Sequence, residues 1–309
     1  MTRRPKYELT DIIIKHNGAL LTRIRALRTF EIRGTKVSKG ALGGFVGSEI
    51  NLAQEGNAWI FDDAKVWENA RVRDNALVAG SAEVYGYALI CDDAYILNRA
   101  KVFQKACVKG KAQVSRNASI QGTAILDEEA QVSDHATVTG DARVFGDARI
   151  LNYATIKGEA QVRGNAIVKH HAVVGQEQLL TNCVCSSDLT QDLAESLRCQ
   201  TGLLPINGKV ILYKQVRKDL RSFFDWRFIY TVGAEAEALQ VIMNHKACAS
   251  GLHASHANYW NEAQEPRTST FLAIEVALED IITIQAGKVR FKKGVVLGRY
   301  DIAPIGESK

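Results

Sequence analysis

The sequence predicts a mainly β protein built on a parallel β-helix over residues 58–175, with a β-hairpin cap at 1–57 and a small α+β domain at 208–309. Three observations carry that expectation. Alanine recurs at every sixth residue from Ala58 to Ala172 without a break, twenty times in all. Ile, Val or Leu stands two residues after each of these alanines, from Ile60 and Val66 to Val168 and Val174. The last two places of the hexad hold pairs such as Asp62-Asp63, Asp74-Asn75, Gly146-Asp147 and Gly164-Asn165.

A six-residue period excludes an amphipathic helix, whose apolar positions recur at intervals of three and four. Positions two apart on a strand face the same way, so each hexad sends a small and a branched side chain inward. The residues one and three after Ala then point outward, and the remaining pair turns the chain, as Asp, Asn and Gly readily do. Three hexads close one triangular coil, so the twenty give about six to seven coils. At about 4.8 Å between neighbouring strands the prism is roughly 30 Å long.

Residues 1–57 must cover the open end of the prism, where strand groups and core side chains lack partners. Ile12-Ile13-Ile14 and Leu20-Leu21 flank His16-Asn17-Gly18, and Asn-Gly between apolar runs signals a hairpin. Past Gly175 the alanine register stops. A helical linker is expected at 176–207, with Ser187-Asp188 as cap and Leu189, Leu193 and Leu197 on one face, ending near Gly202. Leu204-Pro205-Ile206-Asn207-Gly208 turns into the last domain, with strands at 210–216, 228–232, 271–276 and 289–297 and a helix around 256–264.

The chain has 309 residues and a net charge of +5. Residues 1–57 hold ten basic and five acidic side chains, while the repeats hold fourteen of each. A neutral rod with a mildly basic end argues against a nucleic-acid partner. No run reaches the eighteen apolar residues of a membrane span and Met1-Thr2-Arg3-Arg4-Pro5 leads into no signal core, so a cytoplasmic protein without a membrane partner is expected. The six cysteines fit no secreted disulfide framework, and Cys183, Cys185, Cys199 and Cys248 match no standard zinc spacing. Thiols packed in a core or left on the surface, and no metal, are the expectation.

The hexads, together with Arg23-Ile24-Arg25-Ala26, Gly43-Gly44-Phe45-Val46 and the run from Asn51 to Ile60, resemble the hexapeptide-repeat superfamily, and within it bacterial and phage proteins labelled as acetyltransferase-like. The resemblance spans roughly residues 20–175 and implies the left hand of the helix and assembly as a homotrimer. Val168-Lys169-His170-His171-Ala172-Val173-Val174-Gly175 resembles the hexad that carries the catalytic base of sugar acyltransferases of this fold. That resemblance implies that His170 deprotonates an acceptor which attacks a thioester such as acetyl-CoA. Against it, no inserted loop interrupts the hexads to build an acyl-donor pocket, and no carboxylate stands in a matching turn to orient the imidazole. His170 and His171 are then polar turn residues, as is the Asp134-His135 pair.

Leu212-Tyr213-Lys214, the run 228–233 and the run from Cys248 to Ser255 resemble a domain of unknown function found in phage-encoded proteins. Gly251-Leu252-His253-Ala254-Ser255 followed by Tyr259 resembles, more distantly, a strand and helix of ADP-ribosyltransferases. The chain departs from that pattern, since Lys214 replaces the expected histidine and no catalytic glutamate can be placed. His253, Ser255 and Tyr259 are therefore expected as binding residues for a small molecule or protein.

Outside the first coils, Trp67, Tyr85 and Phe103 recur eighteen residues apart on one face, and Trp59, Leu77 and Tyr95 on another. Aromatic columns confined to one end of a rod mark a buried contact, either between subunits or under the chain's own hairpin or C-terminal domain. The expectation is a β-helix scaffold, a homotrimer with Trp59, Trp67, Tyr85, Tyr95 and Phe103 at its interface. It needs no cofactor and carries a C-terminal binding domain. An acyltransferase using His170 and acetyl-CoA is the alternative, and an ADP-ribosyltransferase-like domain a lesser one.

Overall fold

A computed structural model describes residues 5–175, 178–181, 183–186, 189–241, 250–256, 259, 269–285 and 287–300. The chain divides into two compact units, Met1–His170 with Gly175–Asn182, and His171–Val174 with Cys183–Lys309. The protein is mainly β, 46% strand and 6% helix, and contains a parallel β-solenoid of about 8 turns.

The solenoid follows the hexad. All twenty alanines and all twenty of their Val, Ile or Leu partners are 0 or 1% exposed. Each strand pairs in parallel with the strand eighteen residues away, as in Glu83↔Lys101 and Trp59↔Leu77. The resulting ladder bonds are regular, with Lys65 N–H donating to Ala82 O at 2.9 Å and Trp67 N–H to Val84 O at 3.0 Å.

The corners add a second ladder. From Asp62 to His170, every sixth residue has a positive φ, whether glycine or not. Asp and Asn enter this left-handed region more readily than other side chains, and here they also serve as acceptors. Asp62 accepts the Gly80 N–H at 3.0 Å, Asp92 the Gly110 N–H at 3.0 Å and Asp134 the Asn152 N–H at 2.9 Å. Glu68, Gln104 and Glu128 reach Gly86, Gly122 and Gly146 in the same way. Each such side chain satisfies a corner amide one coil further on.

The solenoid exceeds the alanine run at both ends. The strand Leu42–Val46 pairs Phe45↔Lys65 and Val46↔Val66, and Leu52 bridges Val72, so residues counted as cap form an irregular coil of the solenoid. Past the last hexad, Leu179–Thr181 still pairs with Gln161–Arg163. Leu180 keeps the inward place, while Gln178 stands where alanine would recur.

The hairpin Tyr7–His16/Ala19–Ala26 turns on Asn17 (φ 48) and Gly18 (φ 83), as the Asn-Gly pair requires, and joins the strand Leu42–Val46. Its start plugs the coil end. Lys6, fully buried, donates through Nζ to Ala58 O at 2.8 Å, Tyr7 OH donates to Leu52 O at 2.8 Å, and Gln54 Oε1 accepts the Lys6 N–H. Lys6 and Tyr7 thus satisfy main-chain carbonyls at the start of the solenoid.

The second unit is sheet-rich. Lys209–Arg217, Ser269–Ala277, Lys293–Tyr300 and Glu235–Glu237 form an antiparallel sheet in that order, and Leu252–Ala254, Lys288–Phe291 and Ile281–Gln285 form another. The first is joined to the second by a bridge between Tyr213 and Ser255. Helix α1, Leu189–Thr201, is more than a linker, because Leu197 is buried in this unit's core with Leu193 against it. The expected strand at 228–232 is instead a looped segment. Ser222 N–H donates to Phe228 O and Tyr230 N–H to Leu220 O, which closes the chain around a local turn. The expected strand at 289–297 breaks in two at Lys292, and of the expected helix at 256–264 only His256 and Tyr259 lie within the described residues.

Candidate functional site

Strand Lys209–Arg217 alternates exposed and inward positions, with Val210, Leu212, Lys214 and Val216 facing in. The third inward place therefore belongs to a lysine. Lys214 is 4% exposed, and its Nζ donates to His253 O at 2.8 Å and stands 5.7 Å from the Tyr230 ring centroid. Burial, with a smaller push from Lys288, lowers its pKa to about 8. Burial alone pushes the Tyr230 phenol up.

Beside Lys214 the second unit forms an open cavity of ≈ 750 Å³. Lys214, Lys288, Arg227 and His253 supply its basic side, Asp225 its only carboxylate among the described residues, and Ser222, Tyr230 and Gln240 its neutral polar groups. Phe224, Phe228 and Leu239 give it apolar walls, and Phe224 and Leu239 are more than four-fifths exposed. Asp225 is committed to Arg227, Nε to Oδ1 at 3.1 Å, an ion pair that also lowers its carboxyl pKa. With that pair neutral, Lys214 and Lys288 make the described lining basic.

No family model and no curated protein matches the chain.

Of the three expected binding residues, only His253 lines the cavity. Ser255 is fully buried, and its hydroxyl donates to Gly287 O while its backbone pairs with Tyr213, so it ties two sheets together. Tyr259 packs its ring edge against His256, with centroids 5.9 Å apart. In sequence Lys214 stands out only as a departure from a pattern, although its Nζ donates to the His253 carbonyl. Its inward place between Leu212 and Val216 is the signal that was there to be read.

His170 occupies a solenoid corner with φ 60, and its backbone N–H donates to Asn152 Oδ1 at 3.1 Å. Asp134, two coils earlier in the same column, accepts from Arg116 at 2.6 Å and from the Asn152 amide, so its carboxylate is engaged one coil away from His170. His135 stacks on Tyr153 at 4.9 Å.

The aromatic columns are covered in part by the chain's own N-terminal segment. Trp67 packs with Leu21 and Phe45, with His16 edge-on at 5.3 Å, and heads a stack in which Tyr85 follows at 4.5 Å and Phe103 at 4.9 Å from Tyr85. Trp59 is fully buried between Tyr7 and Phe30. Tyr95 lies under the Arg33 guanidinium at 4.0 Å and donates to Gln113. Tyr85, Tyr95 and Phe103 remain partly open. Among the described residues, no helix is long and apolar enough to cross a membrane.

Proposed function

We propose that the protein is a ligand-binding protein: the solenoid is a rigid scaffold, and the C-terminal unit takes an anionic small molecule with an aromatic or apolar part. Lys214 carries this reading. An ammonium group has three donors, and among the described residues Lys214 Nζ makes one hydrogen bond. A buried cation is costly unless its charge and donors find partners, and the space beside it is open, with a described lining that is basic. A bound carboxylate, sulfonate or phosphate would meet that demand, and Phe224, Phe228 and Leu239 would cover the apolar part.

The test uses an aromatic sulfonate, anilinonaphthalene sulfonate, with the folded full chain. Saturable binding at one site is expected, weakened at least tenfold by Lys214→Met and less by Lys288→Ala. Affinity should fall as pH rises through about 8, where Lys214 loses its proton. Binding that is unchanged in Lys214→Met or flat across that range rejects the reading.

Assembly as a homotrimer stays within the proposal, with the contact moved from the covered tryptophans to the outward side of the hairpin, where Ile12, Ile13 and Leu20 are exposed. Light scattering on the native chain and on Ile13→Ser/Leu20→Ser decides it: a trimer is expected for the first and smaller species for the second.

A further inference from the structure

Cys183 stands just before the short strand Val184–Ser186, and Glu195 and Cys199 lie one turn apart on α1. Side chains four apart share a helix face. That face is held against the strand by two serines: Ser186 N–H donates to Ser196 Oγ at 3.1 Å, and Ser196 Oγ donates to Ser186 O at 3.0 Å. The clamp brings the Cys183 and Cys199 sulfurs and a Glu195 oxygen within 4.8 Å of one another. Cys199 Sγ donates to Glu195 Oε1 at 3.3 Å.

We propose that Cys183, Glu195 and Cys199 form a binding site for a divalent cation of the zinc class. Thiolates select borderline and soft cations over calcium or magnesium, and two sulfurs with one carboxylate oxygen are ordinary zinc ligands. Zinc holds such atoms at about 2.0–2.3 Å, which places them about 3.6 Å apart around a tetrahedral ion. The cluster therefore closes on an ion through small side-chain shifts. Charge is balanced as well. Binding releases the two thiol protons, and the resulting two thiolates and carboxylate are offset by the cation and by Arg198, which donates to both Glu195 oxygens at 2.6 and 2.9 Å. The fourth position falls to water or another donor. Cys185, fully buried, does not belong to the cluster, and Cys248 lies outside the described residues. This site is independent of the anion cavity.

The probe is Co²⁺, added to the reduced, chelator-stripped full chain. The expected result is a thiolate-to-cobalt charge-transfer band that saturates at one equivalent, is displaced by Zn²⁺, is lost in Cys199→Ser and persists in Cys107→Ser. A second measurement uses the unaltered protein, so no variant has to fold: Zn²⁺ should shield Cys183 and Cys199 from iodoacetamide at least tenfold, read by peptide mass spectrometry. The proposal is overturned by the absence of such a band, by a band that survives Cys199→Ser, or by alkylation that zinc leaves unchanged. A Cys183–Cys199 disulfide in protein purified without reductant, with no cobalt uptake after reduction, would assign the pair to redox chemistry instead.

Discussion

At the scale of single residues, the solenoid imposes two kinds of demand that differ in how plainly they appear in sequence. The inward demand is plain. Ala118 is fully buried, and Ala118→Leu should overpack its coil and cost roughly 1 to 3 kcal/mol, seen as a lower melting temperature; an unchanged melt would put Ala118 outside the core. The corner demand is hidden, because an acidic or amide side chain in a turn reads as a turn former, whereas its acceptor duty concerns an amide eighteen residues away. His170 shows the consequence. It resembles a catalytic base in sequence, yet it sits at φ 60 at the top of a column of corner residues. A left-handed position costs a non-glycine residue about 1 to 2 kcal/mol, so His170→Gly should leave the melting temperature unchanged or raise it. A general base would instead show itself by loss of thioester cleavage in that variant.

At the scale of elements, the strict period fixed the strands from Trp59 to Val174, and the ends escaped it for physical reasons. Val46 lies twenty residues before its partner Val66, and Leu52 twenty before Val72, so a search for multiples of six passes over them. At the other end Gln178 hides a coil that Leu180 continues. The plug that covers the first coil was expected from the exposed end, but Lys6 as its polar centre was not. Burial, helped by Arg28, lowers the Lys6 pKa from 10.5 to about 7. Because the folded value lies below the unfolded one, the unfolded chain binds more protons between these limits. The cost is therefore full below pH 7 and is relieved as pH climbs toward 10.5, by at most about 1.4 kcal/mol per unit. Melting temperatures of native protein and Lys6→Met, compared from pH 7 to 10, should converge as the native chain gains; parallel curves would place the Lys6 ammonium in water.

At the scale of the whole molecule, the repeat unit was legible and the candidate site largely was not. A single strand's alternation was enough to mark Lys214, yet its cavity draws on residues 214, 222–230, 238–240, 250–253 and 288, five stretches that only the fold assembles. His253 was picked out by its neighbours Gly251 and Leu252, and Lys288 and Arg227 by nothing local. The cysteines repeat the point. Cys183 and Cys199 are sixteen residues apart, outside any standard zinc spacing, and it is α1 lying along Val184–Ser186 that makes them neighbours.

The corner ladder also sets the lengths that this chain can take. Its acceptors match amides eighteen residues on, so the three corners carry separate columns with their own sequence of Asp, Asn, Glu, Gln and Gly, joined in the column of Asp62 by Arg116 and His170. Removing eighteen residues, such as 119–136, leaves every later corner in its own column and joins like to like. Removing six, such as 119–124, keeps every alanine inward but rotates all later hexads by one face, so each corner meets a neighbour chosen for another column. The longer deletion should therefore melt closer to the native protein than the shorter one. Circular dichroism on the pair measures it, and the opposite order would show that the inward positions alone hold the coils in register. On this account the rod lengthens or shortens in whole turns, as a thread does, even though its sequence is written in thirds of a turn.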